Sequence, residues 1–166
     1  MATLVERTQM VIMSVPIDAG AAAVTCDWID MSLYQHCTVI FAGDIGTAGD
    51  DPTLTLLQAS DNAGTGSKAL TFTRIWEKEG ATAINAIGTF TARTQAAANT
   101  YVSATGGENE QLIVLEIDSD QLDTANNFNH ISMTIADVGA AGKLICVLAI
   151  LSEPRFAQAA TPTAIG

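Results

Sequence analysis

The side chains suited to metal binding or acid–base chemistry are two histidines, three cysteines and a surplus of carboxylates. His36 and His130 each stand alone in a strand-like segment, without an HExxH motif or a neighbouring pair of cysteines. Because a zinc site needs three or four ligands at recognisable spacing, neither histidine indicates one. The sequence therefore predicts ordinary sheet or surface histidines, and neither a metal nor another cofactor.

Two short runs of aspartate have the charge density of calcium-binding loops. The first run holds Asp118, Asp120 and Asp123, and the second holds Asp44, Asp50 and Asp51. Neither follows the EF-hand order, so solvated acidic turns are favoured and an incidental divalent-ion site is the alternative. The segment GTGSK at 64–68 is not a Walker phosphate loop, because Ser67 precedes the lysine instead of following it.

Signals for nucleophilic or sugar chemistry are equally sparse. The chain has no GxSxG motif, and neither histidine has a serine or cysteine and a carboxylate that the sequence singles out. Among 18 acidic residues, pairs of carboxylates arise by chance. We therefore expect a protein that is not an enzyme. Phe72 and Trp76 are predicted to share a strand face, which offers a sugar-stacking platform as the alternative to core packing.

Composition favours a single β domain with an acidic surface. The 166 residues fit one domain, and their hydrophobic fraction of 48% is held mainly in small and aliphatic side chains, with aromatics at 5%. The net charge is −11, and the seven lysines and arginines are scattered singly. Because DNA and RNA binding depends on clustered cations, direct contact with nucleic acid is disfavoured.

The cysteines and the chain start indicate synthesis in a reducing cytoplasm. Cys26, Cys37 and Cys146 are odd in number and lack CxxC spacing, so we expect reduced thiols that pack as small core residues. Glu6 and Arg7 interrupt the apolar stretch that a signal peptide would need. We expect no membrane partner.

The segment Leu144–Leu151 organises the predicted fold. It contains eight consecutive apolar residues, which is too short for a membrane span of about 20 and rich in β-branched side chains. We predict a central strand covered on both faces and ended by Pro154, so that Leu148→Asp would prevent folding. Alternating or apolar runs predict further strands within 10–15, 34–42, 53–59, 69–78, 89–94, 101–104, 110–118 and 128–136.

These elements predict an all-β fold, a two-sheet antiparallel sandwich that is jelly-roll-like, with an immunoglobulin-like arrangement as the alternative. Residues 1–15 are predicted to form an N-terminal arm that ends in a short strand. Residues 16–156 form the β-sandwich domain. Residues 157–166, AQAATPTAIG, have too little apolar bulk to fold and are predicted to be an extended C-terminal tail.

Four segments occur in an informative order. They are IDMSLYQHCTVIFAGDIG, LTLLQASDNAGTG, the pair QLIVLEID and FNHISMTIA, and the closing LICVLAILSEPRF. In this order the chain resembles the jelly-roll decoration, or cement, proteins on the capsids of tailed bacteriophages. The resemblance covers most of residues 24–156, and the region 80–104 departs from it.

The resemblance implies a non-enzymatic virion protein on the capsid exterior. Many copies, usually as homotrimers, would bind the major capsid protein and tie neighbouring capsomers together. Alternatives are a carbohydrate-binding jelly-roll module and a head-completion or tail component of the virion. The residues expected to contact the capsid or another subunit are Met10, Val11, Ile12, Trp28, Tyr34, Arg155 and Phe156.

Overall fold

A computed structural model of the chain describes residues 3–44, 50–79, 89–102, 110–136, 139 and 142–156. The strands are β1 (Gln9–Asp18), β2 (Val24–Thr25), β3 (Ile29–Asp30), β4 (Tyr34–Asp44), β5 (Thr53–Ala59), β6 (Lys68–Ala69), β7 (Phe72–Glu79), β8 (Thr91–Ala98), β9 (Thr100–Val102), β10 (Glu110–Asp118), β11 (His130–Ile135) and β12 (Leu144–Pro154). A single helical turn, α1 (Leu4–Arg7), precedes them, and two 3-10 turns, Ser119–Gln121 and Thr124–Asn126, follow β10. Within these ranges no helix is both long and apolar enough to span a bilayer.

The strands form two antiparallel sheets, as the sequence predicted. Sheet A has the order β1-β12-β4-β10-β7-β8, and sheet B has the order β2-β11-β5-β6, with β3 on β11 and β9 on β5. In sheet A, β1 pairs with β12, the last strand, β12 pairs with β4, and β4 pairs with β10. The chain alternates between sheets in the manner of two Greek keys, which makes the sandwich a jelly roll.

Alternating apolar residues build the core between the sheets. On β12, Ile145, Val147 and Ala149 are at most 1% exposed and face inward. On β11, Ile131 and Met133 are fully buried and face them from sheet B, as the alternation predicted. Each of the larger side chains, those of isoleucine, valine and methionine, contributes about 1.5–3 kcal/mol when it leaves water, so these two strands hold much of the core.

The prediction that Leu144–Leu151 is covered on both faces is wrong. β12 is central in hydrogen bonding, since it pairs with β1 on one side and β4 on the other. Its outward residues, however, remain in contact with solvent: Leu144 is 63% exposed and Leu148 is 39% exposed. A sandwich covers only the inner face of each sheet, so an unbroken apolar run does not indicate two covered faces.

The predicted boundary between arm and domain at residue 15 falls inside β1. This strand pairs with β12 from Gln9 opposite Leu151 to Asp18 opposite Leu144, so residues 9–15 belong to the sheet. Val11 and Met13 point into the core, which anchors the strand. Pro16 is tolerated because β1 is an edge strand with one unpaired side. The predicted tail, 157–166, lies outside the described residues.

Candidate functional site

The outer faces of the two sheets differ in chemistry. On sheet B the outward positions of β5 and β11 include Thr53, Thr55, Thr134 and His130, all half-buried, with the half-buried Leu57 as an apolar exception. A polar outer face of this kind is what an antiparallel sheet presents to water. The middle of sheet A presents aliphatic and aromatic side chains instead, with polar and charged ones such as Thr38, Glu116 and Lys78 on either side.

One apolar residue from each of five strands forms a row across the outer face of sheet A. The register places Ile12 beside Leu148, Leu148 beside Ile40, Ile40 beside Val114, and Val114 beside Trp76. Ile12 is 55% exposed, and Ile40, Val114 and Trp76 are half-buried. With strands about 4.8 Å apart, this central apolar row is about 19 Å long.

The rows on either side extend the apolar surface. Met10 pairs with Ile150 in one, while Cys146, Ala42 and Leu112 lie side by side in the other. Together with the central apolar row they form what we call the apolar face. Contiguous apolar patches on a folded protein mark surfaces that bind another molecule.

An acidic pair held by a histidine lies at one end of the apolar face. His36 on β4 lies directly opposite Asp118 on β10, and Thr38 lies opposite Glu116. The His36 ring places Nε2 2.6 Å from Glu116 Oε2 and Nδ1 2.7 Å from Asp118 Oδ1. Only the protonated imidazole can donate from both nitrogens, so this geometry fits a charged ring. Glu116 Oε2 also accepts a hydrogen bond from Thr38 Oγ1 at 2.8 Å.

The net effect on His36 is a raised pKa. Partial burial lowers the pKa of this ring, but hydrogen bonds to Asp118 and Glu116, with their negative charges, outweigh burial. The sequence missed this cluster, because 80 and 82 residues separate His36 from the two carboxylates.

We predict a loss of stability as pH rises above about 6.5, the ordinary pKa of histidine. The folded state binds the His36 proton more tightly than the unfolded state, so the stabilisation is complete below that pH. It disappears as pH rises through the raised folded-state pKa. Thermal melts between pH 5.5 and pH 9 should show this loss for the natural chain and a smaller one for His36→Gln. Parallel pH profiles for the two proteins would contradict the prediction.

In both acidic runs, carboxylates form ion pairs or hydrogen bonds with other side chains of the same chain. Asp123 pairs with the Lys68 ammonium and accepts from Asn126 Nδ2, and these interactions lower the pKa of Asp123. Asp50 Oδ2 lies 3.8 Å from Nζ of Lys143, a fully buried lysine. Within the part of the chain that the structure describes, no group of three or more His, Cys, Asp and Glu side chains could hold a metal ion.

Two of the three cysteines are core residues, as the sequence predicted. Cys26 and Cys37 are buried free thiols. Burial, aided by the charge of Asp27 near the first and Glu116 near the second, raises the pKa of each to about 12. Thiols held in this way are unreactive. Cys146 is also free, but it is half-buried on the outer side of β12.

The predicted contact residues do not form one surface. Met10 and Ile12 are about half exposed and belong to the apolar face. Arg155 and Phe156 are exposed beyond the end of β12, and the Arg155 Nε–H donates to the Tyr34 carbonyl at 3.3 Å. Phe156 is 62% exposed.

Two of those residues are unsuited to contact, which corrects the prediction. Val11 is 5% exposed because alternation along β1 turns it inward between Met10 and Ile12. Tyr34 is fully buried in the core at the start of β4. Both side chains therefore pack in the core of the sandwich.

The prediction that Phe72 and Trp76 share a face is also wrong. A register shift between Phe72 and Arg74 interrupts the alternation of β7. Phe72 is 3% exposed in the core, whereas Trp76 lies outward with the Arg74 guanidinium 5.3 Å from its ring. The two rings therefore provide no shared platform for a sugar.

Trp28 packs against the loop that follows β5. A Cβ added at Gly64 would lie 2.6 Å from the Trp28 Nε1 atom, and Gly64 has a φ of +77°. Gly66 in the same loop has a φ of +62°, but an added Cβ there meets no atom within 4 Å. The two glycines thus differ in steric contact while sharing a left-handed backbone.

We expect Gly66→Ala to lower the free energy of unfolding by about 1–2 kcal/mol, the cost of left-handed backbone for a residue with a Cβ. Gly64→Ala should cost about 1–3 kcal/mol more, because Trp28 must move. Urea unfolding of both variants measures the difference. Equal losses would show that Trp28 does not pack on this loop.

A small polar cleft lies on the β7–β8 hairpin. It has a volume of about 240 Å³ and is lined by Glu77, Thr89, Thr91 and Arg93. Arg93 Nε donates to Glu77 Oε2 at 3.1 Å. The two charged side chains that line the cleft are therefore already paired with each other. The apolar face, which spans five strands, is more extended than this cleft.

Comparison of the chain with protein-family models, with curated proteins and with solved structures found no match.

Proposed function

We propose that this chain is a structural virion protein that binds the outside of a phage capsid lattice and cements neighbouring capsomers, with no enzymatic role. The observation that supports the proposal is the jelly-roll strand order within residues 24–156. These are the residues that carry the resemblance to decoration proteins. The apolar face adds support, because it offers a surface for protein contact.

Such a protein would stabilise a shell by mass action. A partner that binds only the assembled lattice lowers the free energy of that state, and many weakly bound copies add together. The major capsid protein is the proposed partner, and further copies of the chain, as the trimer that the resemblance implies, are the second. Trp28, Arg155 and Phe156 are the proposed lattice contacts outside the apolar face.

Copy number in the particle tests the proposal. Virions of the phage that encodes this chain would be purified and their proteins measured on a quantitative gel. A cement protein should approach the abundance of the shell subunit, because it occupies equivalent positions over the whole lattice. A few copies per particle would instead favour a head-completion or tail component, and would overturn the proposal.

Removal of residues 1–7 should leave the sandwich folded and weaken attachment to the lattice. The helical turn α1 contains no buried residue, and Leu4 and Val5 are 51% and 65% exposed. The truncation stops before β1, whose pairing begins at Gln9. The melting temperature should change by less than about 2 °C, as for surface changes generally. Occupancy on shells, measured by co-sedimentation, should fall; unchanged occupancy would refute a role for this segment.

A further inference from the structure

We propose that the side chains of Lys143 and Asp50 condense to an amide, an isopeptide bond between Nζ and Cγ that cross-links the folded chain. This modification goes beyond the proposed function and does not depend on it. Three observations support it: the burial of the lysine, the fixed placement of the two groups, and the ionised state of a second carboxylate nearby.

The burial of the lysine makes a charged pair costly at this position. Lys143 is the only buried lysine or arginine among the residues that the structure describes. Its side chain is 1% exposed and that of Asp50 is 26% exposed, and Nζ lies 3.8 Å from Oδ2. This distance is too long for a hydrogen bond between the two charged groups. Because burying two charges costs more free energy when no hydrogen bond joins them, a neutral amide is favoured in their place.

Contacts with the backbone fix both groups in place. The Lys143 N–H donates to Asp18 Oδ1 at 2.7 Å, and the Lys143 carbonyl accepts from the Ala19 N–H at 2.9 Å. The Asp50 carboxylate packs on Gly139, where an added Cβ would overlap it. Groups held together in this way react as if at very high concentration. A small rotation of the lysine side chain brings Nζ within the about 3–3.5 Å of a reactive contact.

Asp18 is a second carboxylate near the Lys143 ammonium, and its hydrogen bonds keep it ionised. Its Oδ1 accepts the backbone N–H groups of Lys143 and Gly20, at 2.7 and 2.9 Å, and these bonds lower the pKa of Asp18. An amine condenses with a carboxylic acid, because the negative charge of a carboxylate repels its lone pair. Asp50 is therefore the residue that forms the amide.

The reaction is a condensation that needs no other reagent. A proton passes from the Lys143 ammonium to the Asp50 carboxylate, so that an amine faces a carboxylic acid. The Nζ lone pair forms a bond to Cγ, and the C–OH bond of the acid breaks. The departing hydroxyl takes one proton from the nitrogen and leaves as water. One charge of each sign disappears, so the net charge of −11 is unchanged.

The bond would join the two sheets. Asp50 precedes β5 of sheet B, and Lys143 precedes β12 of sheet A. The ring closed between them contains every strand from β5 to β11. A cross-link that closes a long ring restricts the unfolded chain and thereby stabilises the folded one.

The intact mass of the natural folded chain tests the bond directly. We expect it to be lower than the mass of the sequence by one water molecule. Trypsin does not cleave after an acylated lysine, so a digest should yield residues 8–68 joined to residues 94–155. Lys143→Arg keeps the positive charge but cannot form this amide. It should have the full mass of its sequence and yield no joined peptide.

Substitution of two neighbouring aspartates identifies the carboxyl group that reacts. Asp50→Ala should abolish the bond, so that the full mass returns. Asp51→Ala is the matched control, because it removes the next carboxylate along the chain and should keep the lower mass. Melting temperatures confirm that each variant folds.

The full sequence mass in the folded natural chain would overturn the proposal and leave an ordinary ion pair between Lys143 and Asp50. A lower mass that persists in Lys143→Arg or Asp50→Ala would also overturn it, because the water would have been lost elsewhere. The full mass in Asp51→Ala would overturn the choice of Asp50. None of these outcomes depends on the copy number in virions, so failure of this inference and failure of the proposed function can be distinguished.

Discussion

Val147→Asp should yield no folded protein, whereas Leu148→Asp, one residue further along the same strand, should fold. Val147 is fully buried between the sheets, and a carboxylate there would have no hydrogen-bonding partner or water. The cost exceeds about 5 kcal/mol, which is the whole stability of many domains. Leu148 faces outward and is 39% exposed, so its replacement stays hydrated in the single chain.

Circular dichroism and thermal melts of the two purified variants measure this contrast. Val147→Asp should be insoluble or should lack a cooperative transition. Leu148→Asp should keep the β spectrum and a cooperative melt. Loss of folding in both variants would show that both faces of β12 are covered. That is the arrangement which the eight-residue apolar run predicts from the sequence.

Tyr34→Ala should lower the free energy of unfolding by about 3–5 kcal/mol, while Phe156→Ala should change it by less than about 0.5 kcal/mol. The Tyr34 side chain is fully buried in the core, and burial raises the pKa of its phenol. Removing the ring leaves a cavity that rigid strands cannot fill. Phe156 follows β12 and is 62% exposed, so its removal opens no cavity.

Denaturant unfolding of both variants separates a core residue from a contact residue. Both aromatic side chains were predicted from the sequence to be contacts, and of the two only Phe156 is exposed. The melting temperature of Tyr34→Ala should fall by about 6–20 °C, at about 2–4 °C per kcal/mol for a chain of this size. A change of similar size in both variants would contradict the burial of Tyr34.

Local alternation was sufficient to predict the fold class. Ile131, Met133 and Ile135 recur every second residue and are all fully buried on β11. Turn residues marked the ends of most strands, as in the loop after β5 where Asp61 Oδ1 accepts backbone N–H groups of Ala63 and Thr65. These signals lie within single strands and turns. The positions of the strands along the chain could therefore be predicted without knowing how the strands pair.

Features that depend on pairing could not be predicted in the same way. An apolar run has the same pattern whether its second face meets another layer or water, so Leu148 was misassigned. Because the register of β7 is irregular, Trp76 lies on the outer face of the sheet, whereas simple alternation would place it on the inner face with Phe72. The His36 cluster forms only when β4 and β10 align, and the central apolar row requires the register of five strands.

A cryo-EM map of the assembled virion tests the proposed role on the capsid most directly. We expect density for this sandwich at equivalent positions over the whole outer surface of the capsid, in contact with the major capsid protein of adjacent capsomers. Density confined to a single vertex or to the tail, or no density for the chain at all, would contradict it.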